Sequence, residues 1–308
     1  MSVAIEPPPA KAAAARESFG VVSRFSDYWA LTKPRVTLLV WISMFAGMAM
    51  GSMSIGGGIP LFTWLSALVG GYLVIGCANS LNQAFEASRD SRMRRTADRP
   101  VPAGRVTREE AIGVGIALGL AGALTLSVFV NPLTALLGVA SIMLYAFGYT
   151  PLKPRTHLCT LVGAVPGAIP PLAGWAAATG EVGPASLLLF AVQFLWQFPH
   201  FWAIAWLNRG DYRRAGFKML PFPDAAGRRT GLQCLRYSLA LIPVAVGFAA
   251  FVTHVVAYVV VSAGLGVWLS LASARFMSSA SDEDARRLLR VTILYLPLML
   301  LLMVLSLR

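Results

Sequence analysis

Charge is scarce in this chain, and acid is scarcer than base. Only 13% of the 308 residues are charged, with 14 acids against 26 bases. So few ionisable groups cannot coat a soluble protein of this size, and 56% hydrophobic residues with a mean hydropathy of +0.65 give the composition of a membrane protein. Cysteine is nearly missing. Cys77, Cys159 and Cys234 form an odd set with no C-x-x-C pair, so neither a disulfide nor a zinc site is implied. Residues 1–24 lack a continuous apolar stretch and carry Lys11, Arg16 and Glu17 among Ala and Pro, which reads as a cytosolic tail and not a signal peptide.

What the chain does have is nine apolar runs, at about 36–55, 62–85, 111–130, 133–150, 158–178, 185–207, 237–254, 256–276 and 290–307. Each is near the roughly 20 residues that a helix needs to cross a hydrocarbon layer of about 30 Å. They are too long and too continuously apolar for barrel strands. The expectation is an all-α membrane protein of nine transmembrane helices, with residues 1–30 a disordered tail and 31–308 a single transmembrane domain. A net charge of +12 raises nucleic acid as a partner, but the bases alternate by loop. They fall in the N-terminal segment and after the second, fourth, sixth and eighth runs, and only Arg308 lies on the other side. The positive-inside rule accounts for that pattern without nucleic acid, and puts the N-terminus in the cytoplasm and the C-terminus outside.

Costly polar residues gather in one stretch, Asn79 to Arg108. Asn82, Glu86 and Asp90 stand at i, i+4 and i+8, so a helix carries them along one face at about 6 Å per step. Such a ladder of amide and carboxylate oxygens suits hard divalent cations such as Mg2+, which bind protein oxygens together with substrate phosphate. Arg89, Arg92, Arg94, Arg95 and Arg99 crowd the same end, where guanidinium groups fork onto phosphate oxygens. A metal-bound diphosphate fits this set. Taken alone, the residues also fit a solvated loop with a positive-inside charge cluster. Arg35, at the mouth of the first run, is another diphosphate candidate. Thr107 with Glu110 reads as a capping box that starts the third helix. The third and fourth runs hold little but apolar and small residues, as scaffold does.

Two later segments carry the other polar candidates. Tyr149-Thr-Pro-Leu-Lys153-Pro-Arg155-Thr has prolines at 151 and 154, which predict a loop. Gly163–Trp175 is rich enough in Gly and Pro to predict a broken spanning helix that lines a cavity. The sixth run holds Trp196, Gln197 and His200 and leads to Asn208 and Asp211. His200 reads either as a hydrogen-bonded packing residue or as a ligand, and the aromatic residues around it as packing or interface anchors. The last three runs offer one isolated polar residue, His254, which reads as interfacial, and a helix start at Ser281 with acids first and bases later.

Read as strings, these segments resemble a known family. Thr-Lys-Pro-Arg at 32–35, N-Q-x-x-E-x-x-x-D-x-x-M-x-R-T-x-x-R-P-x-P-A-G-R from Asn82, Y-T-x-L-K from Tyr149, W-Q-x-P-H-F from Trp196 and D-Y-x-x-A-G-x-x-M-L-P from Asp211 are similar to the motifs of UbiA-type intramembrane prenyltransferases of the protoheme IX farnesyltransferase branch. The resemblance runs from about Thr32 through Pro221. It implies a nine-helix UbiA-type bundle that transfers a farnesyl group from farnesyl diphosphate to the 2-vinyl group of heme B, giving heme O and diphosphate. It further implies Mg2+ held by Asn82, Glu86, Asp90 and Asp211, with Lys153 completing the catalytic set. Arg35, Arg94, Arg95, Arg99, Tyr149, Arg155, Trp196, Gln197, His200 and Asn208 are then the substrate-binding residues, the aromatic ones walling a flat porphyrin. The implied setting is the bacterial inner membrane, multi-pass, with a periplasmic C-terminus, lipid around it, and a heme A synthase or oxidase assembly factors as partners.

The match has departures. His157 and Cys159 stand where relatives often carry Pro and Asn, and Ser88 departs as well. Only Asp211 remains of the second acidic motif found in members that use small aromatic acceptors. That thinning, with W-Q-x-P-H-F, argues against a hydroxybenzoate-like acceptor. Charges gathered at one face, with no pair of corresponding broken helices, argue against a transporter.

Overall fold

The computed structural model of the chain describes residues 21–221, 224 and 226–308. Among these, nine helices are long and apolar enough to cross a membrane: Pro34–Ser54, Leu61–Asp90, Arg108–Phe129, Pro132–Leu152, Cys159–Thr179, Pro184–Leu207, Arg228–Phe251, Val255–Ser279 and Asp282–Ser306. They are the first to ninth spans below. Over the described residues the protein is an all-α membrane protein with nine spans, as its apolar runs led one to expect.

Several helices outrun their apolar stretch. The second continues past 85 to Asp90, the seventh starts at Arg228 and not at 237, and the ninth starts at Asp282 and not at 290. Polar turns stay helical where their ends are capped. Ser281 accepts from the Asp284 N–H at 3.1 Å, with Asp282, Glu283 and Asp284 at the positive end of the helix dipole. The capping box of the third span is present: Thr107 Oγ1 accepts from the Glu110 N–H at 3.1 Å and Glu110 Oε2 from the Thr107 N–H at 2.7 Å. Of the expected tail, residues 1–20 lie outside the described residues, and Val21–Leu31 is a helix whose Trp29 stacks on Tyr72 at 5.6 Å.

Proline misleads twice. The loop expected over 149–156 begins only after Leu152, because Pro132–Ile142 widens into a π-helix over Met143–Tyr149 and continues through Pro151. Thr150 closes this turn with its N–H on the Tyr145 carbonyl and its Oγ1 on the same oxygen at 2.9 Å. The fifth span, expected to be broken, is continuous from Cys159 to Thr179 with Pro166, Pro170 and Pro171 inside it. A proline leaves the carbonyl four residues earlier without its helical donor. Here neighbouring spans supply two of them: Ser141 Oγ donates to the Pro166 carbonyl at 3.4 Å and Gln193 Nε2 to the Gly167 carbonyl at 2.8 Å.

Small residues bring the helices close around this span. A Cβ on Gly47 would lie 2.0 Å from the Pro171 carbonyl oxygen, and one on Gly174 would lie 2.0 Å from that of Met44, so the first and fifth spans meet backbone to backbone. The fifth span is 72% buried over its central stretch, whereas the third is 17% buried and turns most of its surface to lipid. All three cysteines are free and buried.

Candidate active site

Asn82, Glu86 and Asp90 occupy successive turns of the second span and are 1%, 4% and 1% exposed. Each meets a cation. Lys33 Nζ donates to Asn82 Oδ1 at 2.9 Å, Lys153 Nζ lies 2.8 Å from Glu86 Oε1, and Arg99 Nη1 lies 2.7 Å from Asp90 Oδ2. Buried carboxylates left unpaired would each cost several kcal/mol, so the pairs are what allow the ladder to sit inside the protein. Burial tends to strip the proton from Lys153, but the adjacent Glu86 carboxylate holds its ammonium above the ordinary lysine range.

Lys33 was not among the candidates from sequence, which put Arg35 at this mouth; Arg35 is exposed. The lysine reaches Asn82 because its own backbone is left-handed, φ 50° and ψ 60°, immediately before Pro34. That conformation costs a non-glycine residue roughly 1–3 kcal/mol. The second span holds it in place: Asn79 Nδ2 donates to the Thr32 carbonyl at 3.0 Å, and Gln83 Nε2 to those of Ala30 and Leu31 at 3.2 and 3.0 Å. Burial, then the nearby Arg99 and Lys153 charges, push the Lys33 amine down to about 7.

The segment after the sixth span closes over the mouth. Lys218 N–H donates to the Lys153 carbonyl at 2.7 Å, and the Phe217 ring lies 5.7 Å from Lys153 Nζ and 5.9 Å from the Arg89 guanidinium. Arg95 donates to Tyr212 Oη at 2.7 Å. Two of the three departures from the family pattern also hold this segment: His157 Nδ1 lies 2.7 Å from the Leu220 carbonyl oxygen and Cys159 Sγ 3.5 Å from that of Lys218. Asp211, expected as a fourth metal ligand, pairs with Arg214, three residues on. Asn208 turns back on its own helix, donating to the Ile204 carbonyl at 2.8 Å, and Arg94 is exposed. Arg155 is exposed too and lines a pocket of about 500 Å³ with Glu86, Arg89 and Thr150.

Among the described residues, no three His, Cys, Asp or Glu side chains group tightly enough to cage a metal alone. The donors present are hard oxygens strung along a helix. They fit divalent cations, each held by one or two protein oxygens and completed by phosphate.

An apolar cavity of about 280 Å³ adjoins this mouth, lined by Val36, Val40, Tyr149, Trp196, Gln197 and His200 among others. Tyr149 joins the two regions: its ring lines the cavity, and Lys153 Nζ sits 4.4 Å above it. Gly163 makes room for the ring, since a Cβ there would lie 2.6 Å from it. Gln197 Nε2 donates to the Ala164 and Gln193 carbonyls at 3.0 and 3.1 Å. Trp196 stacks on His200 at 4.8 Å and 20°, and its Nε1 donates to the Thr292 carbonyl at 2.8 Å. His200 Nδ1 lies 2.9 Å from Thr292 Oγ1. No pattern in the sequence marks Thr292, which stands between aliphatic neighbours in the ninth span.

Fold and site together define a polytopic membrane protein in which a charged mouth opens onto an apolar intramembrane cavity. Residues 40–302 match the UbiA prenyltransferase family, and the chain belongs to that family. The protoheme IX farnesyltransferase of Solibacter usitatus is 41% identical over 286 residues, which cover 91% of this chain and 98% of that protein. That of Koribacter versatilis is 38% identical over 296 residues, 93% and 95% of the two chains. Solved structures with this fold include a digeranylgeranylglyceryl phosphate synthase (TM-score 0.73, 16% identity, 92% of this chain and 98% of the other). A UbiA homologue from Archaeoglobus fulgidus bound to DMAPP and Mg2+ also shares it (TM-score 0.65, 15% identity, 90% and 99%).

Proposed function

We propose that this protein transfers the farnesyl group of farnesyl diphosphate to the 2-vinyl group of heme B, yielding heme O and diphosphate for heme-copper oxidase assembly. The observation that carries this reading is the buried, cation-paired ladder of Asn82, Glu86 and Asp90 beside an apolar cavity walled by Trp196, Gln197 and His200. The relatives named protoheme IX farnesyltransferase, matched over nearly their whole length, support the choice of acceptor.

Asn82, Glu86 and Asp90, with Asp211 from the rim, are the residues that would hold Mg2+ together with the diphosphate. Bound there, Mg2+ neutralises the charge that builds on the leaving group. Lys33, Lys153 and Arg99 add charge-assisted hydrogen bonds to the diphosphate oxygens as the allylic C–O bond breaks and its electron pair passes to diphosphate. The vinyl π electrons then form the new bond to farnesyl C1. Positive charge remains on the carbon next to the porphyrin, where water adds and releases a proton, leaving the hydroxyl of heme O. Trp196, Gln197 and His200 position the porphyrin, and the apolar lining keeps water from the farnesyl cation until that bond has formed.

Incubating purified protein with heme B, farnesyl diphosphate and Mg2+, then separating the extracted pigments, should give heme O only when all three are present. With hydroxybenzoate added as a competing acceptor, unchanged heme alongside a farnesylated hydroxybenzoate would replace this reading with the small-aromatic one. The one-sided bases support an inner-membrane protein with a cytoplasmic mouth. A periplasm-dependent reporter should therefore work after Arg308 and stay silent near Gly104.

A further inference from the structure

We propose that Thr292 is a positioning residue for the porphyrin: it fixes the tautomer of His200 so that the Nε2 lone pair serves as a ligand to the porphyrin iron. This rests on the heme reading above. The argument is a count of hydrogens. A threonine hydroxyl has one hydrogen to give. Thr292 Oγ1 lies 2.7 Å from the Leu289 carbonyl oxygen, which can only accept, and 2.9 Å from His200 Nδ1. Both contacts are hydrogen bonds only if the hydroxyl donates to Leu289 and His200 Nδ1–H donates to the hydroxyl. The backbone of the ninth span thus sets the direction of the whole chain, and in the neutral ring the remaining nitrogen, Nε2, has no hydrogen.

The surroundings restrict what that lone pair can do. A propionate is itself an acceptor, so a neutral Nε2 offers it nothing. A metal centre takes a lone pair directly, and a ligating histidine ordinarily has its other N–H anchored, as Nδ1 is here. The ring is also held against rotation: Trp196 stacks on it at 4.8 Å, and Trp196 is itself tied by Nε1 to the carbonyl of the same Thr292. Thr292 is fully buried, and His200 faces the cavity. One residue of the ninth span therefore orients two of the sixth-span side chains that line the cavity, Trp196 and His200.

The test compares hemin with iron-free protoporphyrin IX, titrated into the purified full-length protein. Hemin affinity should fall roughly tenfold or more in His200→Ala and in Thr292→Val, while protoporphyrin affinity stays unchanged. Thr292→Ser should behave as the unsubstituted protein. The Soret band of bound hemin should shift in both variants, and added imidazole should restore it in His200→Ala. KM for farnesyl diphosphate should not move. A packing or propionate role predicts instead that both porphyrins weaken together, and that result overturns the proposal, as does an unchanged hemin spectrum in Thr292→Val. Should His200→Ala fail to accumulate, the Thr292 pair decides alone. If the unsubstituted protein binds neither porphyrin and leaves heme unconverted, the functional reading falls and this proposal with it; if it converts heme but the variants match it, only the proposal falls.

Discussion

The mouth and the wall of the cavity handle buried polarity in different ways. At the mouth, the two carboxylates are matched by Arg99 and Lys153 and the Asn82 amide by the Lys33 amine, all at 2.7–2.9 Å and from three separate segments. In the wall, polar groups meet neutral partners, mostly backbone carbonyls, and Gln193 Oε1 has no partner among the described residues. Charge pairs can be exchanged for a charged ligand at little net cost, because the desolvation has already been met in the folded protein. Neutral bonds to backbone cannot be exchanged, so they fix shape. The mouth is therefore built to trade partners, and the wall to stay as it is.

Substitutions at four positions test that division, the largest effect first. Glu86→Ala should lower kcat by at least about 10²–10³-fold. It also leaves Lys153 buried without its carboxylate, while the Soret band of bound hemin stays as before; Glu86→Asp should keep part of the activity. Lys33→Met should raise KM for farnesyl diphosphate roughly tenfold, the worth of one charged hydrogen bond, with the heme KM unchanged. Gln193→Leu removes the donor to the Gly167 carbonyl and should destabilise the fold by about 1–3 kcal/mol, read as a lower Tm. A changed KM for farnesyl diphosphate in Gln193→Leu would break the division between mouth and wall. Arg94→Ala, at an exposed side chain, should stay within about twofold in every kinetic constant.

Hydropathy made all nine spans legible, because lipid imposes one requirement on each of them. The ladder was legible for a similar reason: spacing of four on a helix needs no tertiary knowledge. What hid was set by tertiary contacts. Naming Arg35 and not Lys33 followed chain position, whereas Lys33 reaches Asn82 through a left-handed turn pinned by Asn79 and Gln83, and Gln83 read as a motif letter and not as a clamp. Thr292 stayed invisible because a threonine between aliphatic neighbours carries no pattern. The fifth span looked broken because local rules count the donors that proline removes, and cannot see Ser141 and Gln193 arriving from elsewhere.

That last feature bears on how the chain is made. While the fifth span is the newest to leave the ribosome, the Gly167 carbonyl faces hydrocarbon with no donor, since Gln193 belongs to a segment not yet synthesised. Ser141, already inserted, relieves only the Pro166 carbonyl. The fifth span should therefore linger beside the insertion machinery and move into the bilayer together with the sixth as a helical hairpin. Emergence of the sixth span with Gln193, and not the completion of the fifth span, then becomes the moment of its release.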